Sequence, residues 1–220
     1  MVRNMKILPL SGALLAVCLA PVYHADAQTR YNTQPVGTSI KIDGTSSMHD
    51  WEMEGSQIGG FIELGAGVTL DKAQTALAGL QGDKVPAKVH VIIPVGSMHS
   101  KADHLPGVMD DLMKKAMKEG DFPRIDYKLT EMTFKGPHAA GKPFDFDTKG
   151  ELAIAGKTNK VSFPVTMEPL DGGKLKVTGV APLKMTDFGV EPPAPNFGLG
   201  MMKCGDGVKI IFDWTLKEKK

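Results

Sequence analysis

The sequence predicts a mainly β, antiparallel fold with one amphipathic helix inserted in it. Three observations support that class. Apolar and polar residues alternate with period two through most of the chain, as in strands with one buried and one solvated face. Clusters rich in Gly, Asp and Asn separate these stretches at short intervals, the signature of sequential hairpins. One stretch, Asp103 to Ile125, abandons the alternation and steps by three and four residues instead.

The N-terminus reads as a targeting segment. Arg3 and Lys6 precede an apolar run from Ile7 to Val22, and Ala25-Asp26-Ala27 forms an A-x-A cleavage site. That pattern predicts a secretory signal peptide over residues 1–27 and a single domain over 28–220. The apolar run is short and broken by Pro9 and Pro21, which argues against a membrane span. Leu15-Ala16-Val17-Cys18 has the outline of a lipobox, but Val17 stands where a small residue belongs, so cleavage after Ala27 is the expected processing.

Within the domain, Gln28 to Pro35 is polar and reads as a frayed arm or a first edge. Val36 to Gly44 predicts a strand with Ile40 and Ile42 on one face. Ser47 to Glu54 and Ser56 to Leu64 predict two more, with Gly55, Gly59 and Gly60 allowing bends between them. Thr69 to Lys84 steps helically through Leu70, Ala73, Leu77 and Leu80, but Gly79 and Gly82 reduce it to a loop with at most a short helix. Ala87 to Val95 alternates cleanly, with Val89, Val91 and Ile93 facing one way.

The exceptional stretch follows. Leu105, Val108, Met109, Leu112, Ala116 and Met117 share one face of a helix placed over about 103–119. Pro106 suits its first turn, Gly120 is the expected stop, and Pro123 bars continuation. Strand alternation then resumes through Ile125, Tyr127 and Leu129. It changes phase at Met132 and Phe134, which predicts a bulge near Thr130 or Glu131. Phe144, Phe146, Leu152 and Ile154 share the next face, and Gly156-Lys157-Thr158-Asn159 reads as a turn. Val161, Phe163, Val165 and Met167 follow, then the hairpin signal Asp171-Gly172-Gly173, then Leu175, Val177, Gly179, Ala181 and Leu183. Gly189 to Gly207 is a long Pro- and Gly-rich loop. Val208, Ile210, Phe212, Trp214 and Leu216 form the last and clearest strand. About eight to ten strands of this kind close into a barrel or stack as a sandwich, and alternation alone leaves both open.

Charge excludes some partners. The 220 residues carry 26 basic and 25 acidic side chains, and loss of Arg3, Lys6 and Asp26 with the signal leaves a net charge of zero. No excess positive charge points to nucleic acid or an anionic surface. Cys204 is then the sole cysteine, so no internal disulfide is possible and burial must hold the fold.

Catalytic patterns are sparse. Gly96-Ser97-Met98-His99 lacks the G-x-S-x-G elbow. No HExxH, CxxC or phosphate-cradling loop occurs, and His49, His90, His99, His104 and His138 lack metal-ligand spacing. Neither a catalytic residue, a metal site nor a cofactor is expected. His49-Asp50-Trp51 is the most chemically dressed segment. It can contact a polar head group, with Trp51 as an apolar wall, or simply satisfy local backbone and core. Of the 13 methionines, the 11 that remain once Met1 and Met5 leave with the signal suit either a flexible ligand or an irregular core.

Five segments in order resemble the YceI family of secreted lipid-binding proteins. Ser47-Met48-His49-Asp50-Trp51 is similar to its S-x-H-D-W segment. Ile92 to Val95 with the following helix, Asp121-Phe122-Pro123 and Ile125-Asp126-Tyr127, is similar to its strand–helix unit. Gly150 to Thr158 resembles its G-x-L-x-I-x-G-x-T hairpin, Thr186-Asp187-Phe188-Gly189 its S/T-D-F-G segment, and the last apolar strand completes the pattern. The resemblance implies a lipocalin-like antiparallel barrel of about eight strands, exported to the periplasm, that holds a polyisoprenoid or related long-chain lipid.

On that basis the expected ligand-binding residues are His49, Trp51, Val91, Ile93, Leu112, Met113, Tyr127, Phe163, Val165, Phe188, Phe212 and Trp214. The expected activity is non-enzymatic carriage of the lipid. Two alternatives stay open: a structural or stress-response module with a packed interior, and a lipid-modifying enzyme using His49 and Asp50. A homodimer through an exposed edge and an unidentified loading partner also remain open. The helix is expected at an open end of the barrel, as a fixed plug or as a lid hinged at Gly107 and Gly120.

Overall fold

The computed structural model describes residues 28–102, 106–137, 139–195 and 202–219. The expected signal peptide and lipobox, and His104, Leu105 and His138, lie outside the described residues. The strands are β1 (Thr29–Thr33), β2 (Ser39–Ser46), β3 (Trp51–Gly55), β4 (Gly59–Leu64), β5 (Ala87–Pro94) and β6 (His99–Ser100). After the helix α1 (Pro106–Ala116) come β7 (Arg124–Phe134), β8 (Phe144–Ile154), β9 (Lys157–Leu170), β10 (Lys174–Lys184) and β11 (Cys204–Glu218).

Pairing is antiparallel throughout. It runs β1-β4-β5-β7-β8-β9-β10-β11 and returns from β11 to β1, so the sheet closes on itself as an eight-strand barrel. Closure pairs the edges that an open sheet would expose, except where the β9–β10 ladder ends at Val165↔Gly179. The strands β1–β2 and β3–β4 act as two bent strands. The free edge of β11 meets β1 through Leu216–Glu218 and β2 through Cys204–Asp213, and β3 carries the short β6 on its far side.

Alternation places the interior as expected. On β8 every even residue from Phe144 to Leu152 is buried and every odd one exposed. The bulge on β7 falls between Leu129 and Glu131, which keeps both Leu129 and Met132 on the inner face.

Several local expectations change. Gln28–Pro35 is no frayed arm: Tyr31 pairs with Ile62 on one side and Glu218 on the other, so β1 is the strand that closes the barrel. Its pairing is made by backbone, and only Tyr31 needs to be buried, which is why its sequence is so polar. Ser47–Asp50 is a corner, and the strand begins at Trp51. Ser46 Oγ accepts the Met48 and His49 N–H groups at 3.2 Å and donates to the His49 carbonyl at 2.6 Å, drawing the backbone out of the ladder. The β8–β9 turn is Ala155-Gly156, with φ of 48° and 84°, so Lys157 to Asn159 already belong to β9. Two residues with positive φ match the twist of the flanking strands.

The helix also ends differently. Lys118, not Gly120, takes the left-handed position (φ 54°). Glu119 N–H reaches Lys114 O at 3.0 Å and Lys118 N–H reaches Lys115 O at 3.1 Å, the paired bonds of a Schellman cap.

The two barrel ends differ in cover. At one, the helix-free loop 65–86 runs across the sheet. It is held by Phe134 N–H to Asp83 O, Val85 N–H to Met132 O and Gly141 N–H to Lys72 O, and it buries Val68, Leu70 and Val85 in the core. At the other end sit α1 and the loop after β10.

Candidate functional site

The barrel interior is the site that the strands build. A cavity of about 130 Å³ runs inside it, lined by Val91, Ile93, Tyr127, Phe163, Val165, Phe212 and Trp214 together with Ile62, Leu152, Met167 and Val177. A second cavity of about 110 Å³ lies under α1, lined by Trp51, Leu112, Met113 and Phe188 with Met109, Met117, Val190, Met202 and Cys204. Ile42, Ile125, Ile154, Leu183 and Ile210 border both. The two spaces are therefore neighbours along the barrel, separated only by these five aliphatic side chains.

Eleven of the twelve expected residues meet there. His49 does not. It is exposed on the corner before β3, and its Nδ1 pairs with the Asp50 carbonyl at 2.8 Å. Because the strand starts only at Trp51, alternation does not extend back to put His49 on the inner face. Trp51 does turn inward, over Gly44, and its indole N–H donates to Thr45 O at 3.1 Å. The five residues shared by the two cavities were visible as inward positions in the sequence. Their level along the barrel axis was not, because period two carries no such coordinate.

An aromatic shelf crosses mid-barrel. Gly150 on β8 and Gly179 on β10 leave flat places in the wall, since a Cβ at either would overlap the ring of Tyr127 or of Phe212. Tyr127 and Phe212 lie over these gaps and converge on Phe163 of the intervening β9, with centroids 5.6 and 6.1 Å apart. Aromatic rings over strand glycines restore the packing that the missing side chains would have supplied.

Polar chemistry inside is minimal. Thr148 is buried, and its hydroxyl donates to the Phe163 carbonyl at 2.7 Å. The Tyr127 hydroxyl is sealed in beside Thr148, whose own proton goes to the Phe163 carbonyl, and burial pushes the phenol up against a smaller opposing effect of Thr148. Burial likewise pushes the Cys204 thiol up, which suppresses the reactive thiolate. Among the described residues no group of three His, Cys, Asp or Glu side chains is placed to hold a metal.

At the rim, α1 is tied down by Asp110. Its carboxylate accepts His99 Nδ1 at 2.9 Å and the Ser100 N–H. Burial would raise the Asp110 pKa, but these two hydrogen bonds outweigh it and hold the carboxyl below its ordinary range. The helix itself has no fully buried residue.

A family model described as YceI-like domain matches residues 31–216. Among solved structures, Burkholderia cenocepacia BcnA is similar at 17% identity and a TM-score of 0.57, with 83% of this chain and 98% of that one covered. A polyisoprenoid binding domain from Saccharophagus degradans, implicated in plant cell wall breakdown, is similar at 9% identity and 0.57, with 88% and 100% covered. At these identities the likeness is one of fold. No curated protein sequence matches the chain.

Proposed function

The chain belongs to the YceI-like family, and from that membership we propose that it is a non-enzymatic binding protein that carries one long-chain apolar lipid, of the polyisoprenoid class, inside its barrel. The observation that carries this reading is the pair of adjacent apolar cavities between α1 and the aromatic shelf. Such a lining is almost wholly aliphatic, aromatic and thioether. It can remove methylene and methyl groups from water, at about 0.8 kcal/mol for each buried CH₂.

The shape favours a slim chain. Each cavity is narrower than the usual ligand pocket of about 300–1,000 Å³, so a long ligand must thread through both and displace side chains as it goes. The lining suits that. Met53, Met109, Met113, Met117, Met185 and Met202 surround the helix-side space, and unbranched thioethers reshape at little cost. The likeness to a structure that its authors describe as a polyisoprenoid binding domain supports the same ligand class. The signal-like sequence of residues 1–27 supports action in the periplasm.

The test is direct. Protein purified from the periplasm should show one lipid adduct by native mass spectrometry, lose it on solvent extraction, and take up a fluorescent dansyl-polyprenol afterwards. Protein that arrives lipid-free and ignores the dansyl-polyprenol would instead be a packed structural module.

A further inference from the structure

The barrel wall has a slot in it, and we propose that the lipid passes through this slot, sideways between β9 and β10, rather than through the end beneath α1. The inference rests on the lipid-binding reading above.

The slot follows from the ladder registers. β9 pairs with β8 along its whole length, down to Ile154↔Lys157. β10 pairs with β11 just as fully, up to Lys184↔Gly207. Between β9 and β10, however, pairing stops at Val165↔Gly179. Among the described residues, Lys157–Pro164 and Val180–Lys184 have no backbone partner on their facing edges. A single side-chain bond spans the outer end, Asn159 Nδ2 to Asp187 O at 2.6 Å. The opening is thus framed above by that latch and below by the last backbone pair.

The residues explain why it stays open. Pro164 and Pro182 lie one on each side. A proline within a sheet costs least where its missing N–H faces an unpaired edge, and here both strands carry one in the unpaired stretch. If the ladder continued in the Val165↔Gly179 register, Lys160 would stand opposite Lys184, and like charges directly opposed disfavour pairing. These two prolines and two lysines keep apart strands that would otherwise close.

The slot also leads somewhere. Phe163, Ala181 and Leu183 stand on its edges and line the inner cavity. Leu183 borders the inner cavity, the space under α1 and an open cleft on the outer surface that Lys157, Asn159, Lys160 and His49 also line. On β9 exposure changes at the same place: Val165, at the last pair, is 6% exposed and Phe163, just beyond it, is half-buried, while Ala181 on the facing strand stays buried. A chain entering here passes between the outward-facing Lys160 and Lys184 and meets the Phe163 edge of the aromatic shelf. The helix and its Asp110 tether need not move.

A passage governs rates and leaves equilibrium alone, because closing it slows entry and exit equally. In a Cys204→Ser background, Ser162→Cys/Pro182→Cys places thiols opposite each other across the slot, to be joined by a cleavable bifunctional maleimide. The same protein is then compared before and after cleavage. With the bridge intact, association and dissociation of dansyl-polyprenol should both slow by about tenfold or more, with the Kd unchanged, and cleavage should restore them. A second variant needs no cross-link: Pro164→Thr/Pro182→Thr returns two backbone donors, lets the ladder zip, and should slow exchange in the same way. Binding with unaltered rates in both would overturn the lateral route and leave the carrier reading standing. Absence of dansyl-polyprenol binding in the unsubstituted protein would overturn both.

Discussion

The two ends of this barrel are made from the same alternating strands and behave as different materials. At the end under loop 65–86, Phe144 and Phe146 are fully buried and both rings meet Phe134, with centroids 6.2 and 5.6 Å apart. Leu64, Leu175 and Leu216 fill the space beside them. Lys149 and Lys84 clasp Glu131 on the β7 bulge, at 2.8 and 2.6 Å, and so fasten the loop to the wall. At the other end the helix buries no residue completely, methionines replace phenylalanines, and the β9–β10 ladder is missing. The comparison separates two properties of one sheet. Alternation decides which side chains face inward, while volume and pairing decide whether that interior is core or cavity. This difference in packing predicts that stability is concentrated at the closed end and that local opening is easiest at the other.

The sharpest way to break this comparison is to truncate one residue at each end. Phe146→Ala should cost about 3–5 kcal/mol, because a ring with no exposed surface leaves a void that its neighbours cannot fill. Leu112→Ala, on the half-buried helix face beside an existing cavity, should cost about 1 kcal/mol. Urea midpoints measured for both variants, with unchanged m-values, decide it. Equal losses would mean that the helix end is as much a part of the core as the phenylalanine end.

Much of this was legible from residues alone. Nearly every inward position followed from period two, and the phase change between Leu129 and Met132 located the bulge. What escaped has physical reasons. β1 is held by backbone pairing, so its polar side chains looked like an arm. The Ser46 hydroxyl bends residues 47–50 into a corner, which takes His49 out of the phase that Trp51 keeps. Gly120 seemed the natural helix stop, yet the chain spends the left-handed conformation on Lys118. The slot had a signal that alternation ignores, a proline in each of two adjacent strands at Pro164 and Pro182. Whether facing side chains fill a barrel or leave a passage depends on summed volumes across eight strands, which no single stretch of sequence displays.

Lys118 offers a smaller test, aimed at the open end alone. A non-glycine residue at φ 54° is strained, and glycine relieves that strain while adding freedom to the unfolded chain. Lys118→Gly should therefore stabilise by about 0.5–1 kcal/mol, seen as a rise in Tm of a few degrees at most. Because α1 is weakly tied to the core, a tighter cap should show first as slower hydrogen exchange along the helix, with strand amides unaffected. A rise in protection spread over the closed end as well would mean that the two ends unfold as one unit.

Acid should separate the ends by the least energy but with the clearest order. Both are fastened by a carboxylate whose pKa is lowered on folding, so each fastening is complete above the ordinary carboxylate range and is lost as pH falls through the folded value. Glu131, between Lys149 and Lys84, is brought down to about 2, and its clasp should survive almost to that pH. Asp110 is lowered too, but burial works against its bonds to His99 and Ser100, so its tether should fail at a higher pH. Hydrogen exchange, corrected for intrinsic rates and followed between about pH 5 and 2, should show α1 loosening while loop 65–86 remains protected. Asp110→Asn should leave the helix loosened already at neutral pH and remove its acid response. Loss of protection in the loop before the helix would reverse the assignment of the mobile end.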